Sequence, residues 1–204
     1  MTDLASHYVF VGDKLVFEGE LAAAALTVHG LTAARQQKAV IFRSDTGSEL
    51  DLDLRGGADE IAERYPSTTQ AVTQAVAQTE SAAEAVPPQP RKRGRPKLGV
   101  VGREITLLPR HWQWLDTQRG GASAALRRLV DESRKANSGE DAARAAQVRT
   151  QRLLTTLAGN EPGFEEALRA LYARDAKGFA SHTSSLSADV LRVANLWASD
   201  AFAN

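Results

Sequence analysis

Cysteine is absent from the chain, methionine occurs once, and aromatic residues make up only 6% of the 204 residues. Without cysteine there is no disulfide, no thiolate nucleophile and no thiolate to hold a structural zinc, a composition that suits a reducing cytoplasm. No apolar run approaches the roughly eighteen residues that a membrane span requires, and the N-terminus lacks the charged and then apolar layout of a signal peptide. These absences lead us to expect a cytoplasmic protein with no membrane partner.

Catalytic signatures are missing too. The four histidines, His7, His29, His111 and His182, are scattered and show no metal-ligand spacing such as HExxH. There is no GxxxxGK[ST] phosphate loop and no GxSxG nucleophile elbow. His111 reads as a surface or packed histidine. Asp51 and Asp53 share one face of an expected strand and read as its solvated side. The internal Leu54-Arg55-Gly56-Gly57 resembles the tail of ubiquitin only by coincidence. The expectation is a protein that is not an enzyme and has no cofactor and no metal.

Net charge is zero, yet its distribution is not even. Residues 1–90 hold six cations against thirteen anions, residues 91–136 hold twelve against four, and residues 137–204 hold seven against eight. An anionic partner responds to the local charge, so the basic middle points to nucleic acid. Within it, residues 91–103 carry six cations and no anion. The tetrad Arg93-Gly94-Arg95-Pro96, followed by Lys97, resembles an AT-hook, a peptide that binds the minor groove of A·T-rich DNA. Gly94 has no side chain to hold the backbone off the groove floor, where narrow A·T tracts concentrate negative potential for the two guanidinium groups. Pro96 keeps the backbone extended, and Arg91, Lys92 and Lys97 are placed to meet phosphates.

After this run, residues 103–108 alternate as a strand does. Pro109 suits the first turn of a helix over 109–118, with Trp112 and Leu115 on one face. Gly120-Gly121 ends that helix, Ser123 is placed to cap the next, and Leu126, Leu129 and Val130 supply its apolar stripe. Strand, short helix, glycine turn and second helix resemble the ribbon-helix-helix module of small bacterial repressors. That resemblance implies a homodimer formed by strand pairing, with Arg103 and Thr106 near DNA. Glu104, on the outward face beside Thr106, suits phosphates poorly. A strand and two helices packed on another part of the chain is the alternative.

Around this centre the chain reads as an α+β protein. Residues 1–65 form a small α+β unit: a hairpin (7–11 and 14–18 around Gly12-Asp13), a helix from Glu20 to about Val28, strands at 39–43 and 49–54, and a helix at 58–64. Such a unit is near the size at which a core is only marginally stable alone, so docking or dimerisation would help it. Residues 66–98 lack large apolar side chains and read as a flexible linker. The strand-helix-helix unit spans 99–136. Residues 137–204 read as helical, with starts at Ser138, at Asn160 with Pro162, and at Ser187. Their apolar faces comprise Val148, Leu153, Leu154 and Leu157, then Phe164, Leu168, Leu171 and Tyr172, then Val190, Leu191, Ala194 and Trp197.

The stretches GRPKLGVVGREITLLPRHWQWL (94–115) and GGASAALRRLV (120–130), with Tyr8–Gly12, Asp51–Gly56 and, more weakly, Phe164–Phe202, are similar to the bacterial "domain of unknown function 2239" family. The resemblance covers nearly the whole chain and implies no catalytic residue. The expected function is DNA binding, as a regulator or nucleoid-associated accessory. The rival is an adaptor whose basic segment docks an acidic partner, and RNA binding is a weaker third reading because no aromatic stacking platform is evident. A protein partner at the N-terminal or C-terminal region is left open.

Overall fold

The computed structural model of the protein describes residues 6–67 and 101–203. Strand β1 (His7–Val11) and strand β2 (Lys14–Gly19) form the expected hairpin. Gly12 turns between them at φ +63°, in the left-handed region that glycine enters without penalty. Helix α1 (Leu21–His29) and the single turn α2 (Ala33–Gln36) lead to strand β3 (Ala39–Arg43), strand β4 (Glu49–Leu50) and helix α3 (Ala58–Arg64). The sheet is antiparallel in the order β2-β1-β3-β4.

Strand β1 lies inside that sheet and is buried on both faces, which explains its unbroken apolar run. Tyr8 and Phe10 point one way and pack with Phe42, while Val9 points the other way and packs with Ile41, Ala24 and Val28. The expected strand at 49–54 ends at Leu50. Beyond it, side chains engage the backbone that a neighbouring strand would otherwise pair. The Asp53 N–H donates to Tyr65 Oη at 2.9 Å, and Arg64 Nη1 donates to the carbonyls of Asp53 at 2.6 Å and Arg55 at 3.1 Å. Leu52 and Leu54 still pack on the Val9 side.

The later half is mostly helical. Helix α4 (Pro109–Asp116) precedes helix α5 (Gly121–Ala158), and then come α6 (Phe164–Tyr172), α7 (Ala176–His182), α8 (Ala188–Ala198) and a 3₁₀ turn (Ser199–Phe202). Two separate helices were expected where α5 runs unbroken for 38 residues. Ser123 and Ser138 therefore cap nothing. The Ser138 hydroxyl donates to the Lys135 carbonyl and Asn137 Nδ2 donates to the Ser133 carbonyl, bonds that leave the helical ladder intact. Gly139 is a weak point in α5, and a Cβ there would meet nothing within 4 Å. Gly139→Ala is expected to add about 0.5–1 kcal/mol and raise the melting temperature by roughly 1–4 °C. An unchanged or lowered melting temperature would show the helix interrupted at that point.

The chain divides into two compact units, one of residues 1–77 with 139–204 and one of residues 78–138. In the first, the sheet and the C-terminal helices share a core of Tyr8, Phe10 and Phe42 with Ala146, Leu153, Leu154, Leu171, Phe179, Val190, Val193 and Trp197. Arg149, itself buried, donates from Nε to the Trp197 carbonyl and from Nη2 to Asp200, both at 2.9 Å. Two expected core residues lie largely outside: Val148 and Tyr172 are exposed, and the Tyr172 hydroxyl meets Gln151 instead. Ala146, Gln147, Arg149 and Thr150 are the buried side of α5 there.

Candidate nucleic-acid interface

The expected minor-groove residues Arg91, Lys92, Arg93, Gly94, Arg95, Pro96 and Lys97 lie outside the described residues. Arg103 and Thr106 are described, and both are exposed in a stretch, 101–108, that has no regular secondary structure. The strand expected at 103–108 is thus not formed within the chain. A strand needs a neighbour for its N–H and C=O groups, and residues 101–107 make no backbone–backbone hydrogen bond among the described residues. Ile105, expected to face the helices, is 50% exposed.

Leu108 is extended (φ −67°, ψ 150°) and Pro109 opens α4, as its missing N–H and fixed φ favour. The helix ends where the Thr117 hydroxyl donates to the Trp114 carbonyl. Gly120 and Gly121, at φ +85° and +74°, then turn the chain into α5. Within 101–138 the buried side chains are Leu115 and Ala125. Seven of the ten large apolar side chains exposed among the described residues belong to this stretch: Val101, Ile105, Leu108, Trp112, Trp114, Leu129 and Val130. Trp112 and Trp114 are 38% and 51% exposed. Apolar exposure among the described residues is thus concentrated in this stretch.

The ionic groups separate in the same way. All nine ion pairs among the described residues fall in the first unit, where Arg43, Arg55, Arg64, Arg144, Arg149, Arg169, Arg174 and Arg192 each meet a carboxylate. In the second unit Arg103, Arg110, Arg119, Arg127, Arg128, Arg134 and Lys135 make none, although Glu104, Asp116, Asp131 and Glu132 are close in sequence. Of these cations, Arg128 makes a hydrogen bond, from Nη1 to the Arg119 carbonyl at 3.0 Å. Local charge counting in the sequence located the basic region without the arrangement along α5. The signal was a seven-residue spacing, Arg127 with Arg134 and Arg128 with Lys135, which stacks each pair on one side of a helix.

Other candidate chemistry finds no assembly. No group of three or more His, Asp or Glu side chains able to hold a metal occurs among the described residues. The Asp53 carboxylate is paired with Arg55 at 2.8 Å and approached by Arg64 at 3.9 Å. The hydrogen bonds from Arg55 hold its pKa far below the usual carboxylate range. Burial, reinforced by the charge of Arg43, lowers the pKa of His7, whose Nδ1 lies 2.9 Å from Ser6 Oγ. In the first unit a shallow groove of about 480 Å³ is lined by Gly47, Ser48, Glu49, Gln151, Arg152, Thr155 and Thr156. Its groups are already engaged: Thr156 Oγ1 donates to Glu49 at 2.5 Å and Arg152 Nη1 to the Thr46 carbonyl at 2.9 Å. No helix among the described residues is long and apolar enough to cross a membrane.

Fold and surface together define an α+β protein whose sheet shares a core with C-terminal helices and whose second unit exposes apolar side chains and cations that make no ion pair among the described residues. The chain belongs to the family described as "Uncharacterized protein conserved in bacteria", domain of unknown function 2239, which it matches over residues 6–198. No curated protein and no solved structure matches it.

Proposed function

We propose that the protein binds DNA without catalysing a reaction, as a cytoplasmic regulator or nucleoid-associated accessory of the bacterial cell. In this reading Arg93, Gly94, Arg95 and Pro96 occupy the minor groove of an A·T tract while Arg91, Lys92, Lys97 and Arg103 hold phosphates. The observation that carries it is the set of seven cations at 101–138 that make no ion pair among the described residues, the first of them ending a run with no anion. Thr106 lies beside that run and is exposed to a base or a phosphate. A second copy of the chain covers the apolar surface of Ile105, Leu108, Trp112, Trp114, Leu129 and Val130, and residues 103–108 gain in the dimer the strand partner that a single chain lacks.

The test is a salt series with full-length protein, fluorescent A·T-rich and G·C-rich duplexes, and a variant carrying Arg93→Ala and Arg95→Ala. Light scattering of the same samples reads the dimer as twice the chain mass. The six cations of residues 91–103 alone give a log–log salt slope of about −5. The expected result is a slope at least that steep with A·T preference, the preference being lost in the variant. Absent binding near physiological salt would sink the DNA reading and leave an acidic protein as the partner to seek.

A further inference from the structure

We infer that α5 carries a second DNA-contact surface, formed by Arg127, Arg128, Arg134 and Lys135, which grips phosphates while the segment at 91–97 reads the groove. The inference rests on the DNA-binding reading and extends it to a second set of residues. At 3.6 residues per turn these four side chains fall within an arc of about 120°. Leu126 and Leu129 lie on the opposite side of the helix. The first part of α5 therefore has two surfaces, an apolar stripe suited to packing and a cationic arc pointing away from it.

Three observations support the arc as a binding surface. Residues 127–142 are exposed all around the helix. Its cations also close no ion pair among the described residues, the one hydrogen bond being from Arg128 to the Arg119 carbonyl, although partners stand at ion-pair spacing. Arg127 with Asp131 and Arg128 with Glu132 are four residues apart, as is Asp131 with Lys135, yet none of these pairs is closed. Further along the same helix Arg144 does close on Glu140 at 3.5 Å and Asp141 at 3.8 Å, so α5 permits such pairing. Finally, the four cations span about 12 Å of helix axis, a length over which one strand of a duplex presents three to four phosphates. One carboxylate, Asp131, sits inside the arc and Glu132 at its border. Asp131 opposes a polyanion and supplies a test of opposite sign.

The experiment uses the full chain and an A·T-rich duplex over a salt series. Replacing the four cations with glutamine keeps good helix formers and removes the charge. The quadruple variant is expected to flatten the log–log slope by about 3–4 while keeping A·T preference, whereas the Arg93→Ala/Arg95→Ala variant loses the preference and keeps the contribution of the arc. A triple Arg127→Lys, Arg128→Lys, Arg134→Lys variant is expected to keep the native slope, since phosphate neutralisation needs charge and not a guanidinium. Asp131→Asn is expected to tighten binding by about fivefold at low salt, from removing one like charge at roughly 4 Å in water.

A native slope in the quadruple glutamine variant overturns the second surface and leaves the minor-groove reading standing. Equal flattening in the lysine variant also overturns it, because the arginines would then be acting through helix packing. Binding of polyglutamate that depends on the four cations, with the duplex slope unchanged, assigns the surface to an acidic protein instead. If the native chain binds no duplex, both proposals fall together.

Discussion

Trp197→Ala is expected to destabilise the protein by about 3–5 kcal/mol, a loss comparable to the whole stability of many domains. Trp197 is the largest fully buried side chain described, and it joins the sheet to the helices rather than filling one layer. Its ring meets Tyr8 edge-on at 5.4 Å and 86°, and Phe42 at 6.3 Å and 83°. Alanine would remove both aromatic contacts and open a cavity that two β-strands and the fixed helix α8 are poorly able to close. Trp197→Phe is expected to cost much less, about 1–2 kcal/mol. It keeps a ring in the site, and the indole Nε1–H it deletes is buried without a hydrogen-bond partner among the described residues. Urea unfolding followed by far-UV circular dichroism compares the two. Equal costs, or an alanine variant losing less than about 1 kcal/mol, would mean that the sheet and helices do not share this core.

That shared core separates what the sequence discloses from what it conceals. The hairpin was readable because two strand-forming runs flank Gly12-Asp13, and α3 because an acidic first turn follows two glycines. The packing of Phe42 against Trp197 was not, since contacts between residues more than 150 apart leave no local periodicity. Strand β4 was overestimated for a related reason. Leu50, Leu52 and Leu54 alternate correctly, but Tyr65 and Arg64, eleven or twelve residues on, take the backbone groups of Asp53. Helix α7 escaped notice because its seven residues contain one large apolar side chain, Phe179. Its signal was Asp175, whose carboxylate accepts from the Gly178 N–H at 3.0 Å. In α5, Ser138 resembled a start because serine caps helices well, yet its hydroxyl serves equally inside one. The binding surface shows the same division. A run of like charge is visible to counting, while the side of a helix on which cations gather appears only once the helix is known to be continuous.

Gly47→Ala is expected to cost about 2–4 kcal/mol, although it adds a single carbon. Gly47 sits at φ +66° in the turn between β3 and β4, where any residue with a Cβ is strained by about 1–2 kcal/mol. The larger effect comes from what the turn touches. A Cβ at Gly47 would lie 2.5 Å from the Arg149 carbonyl oxygen, 2.6 Å from its Cα and 2.9 Å from its carbonyl carbon, all backbone atoms of α5. A helix backbone gives way less readily than a side chain, so the turn must lift. Lifting it loosens Arg152 from the Thr46 carbonyl and Thr156 from Glu49. Gly12→Ala is the control: it has nearly the same φ, +63°, and nothing within 4 Å of its added carbon, so only the strain of about 1–2 kcal/mol applies. Chemical denaturation of both variants isolates the contact from the strain. A clearly larger loss for Gly47→Ala places the β3–β4 turn against α5 in solution. Equal losses would remove that contact and leave the shared core around Trp197 as what ties the N-terminal α+β unit of about sixty residues to the helices that follow residue 138.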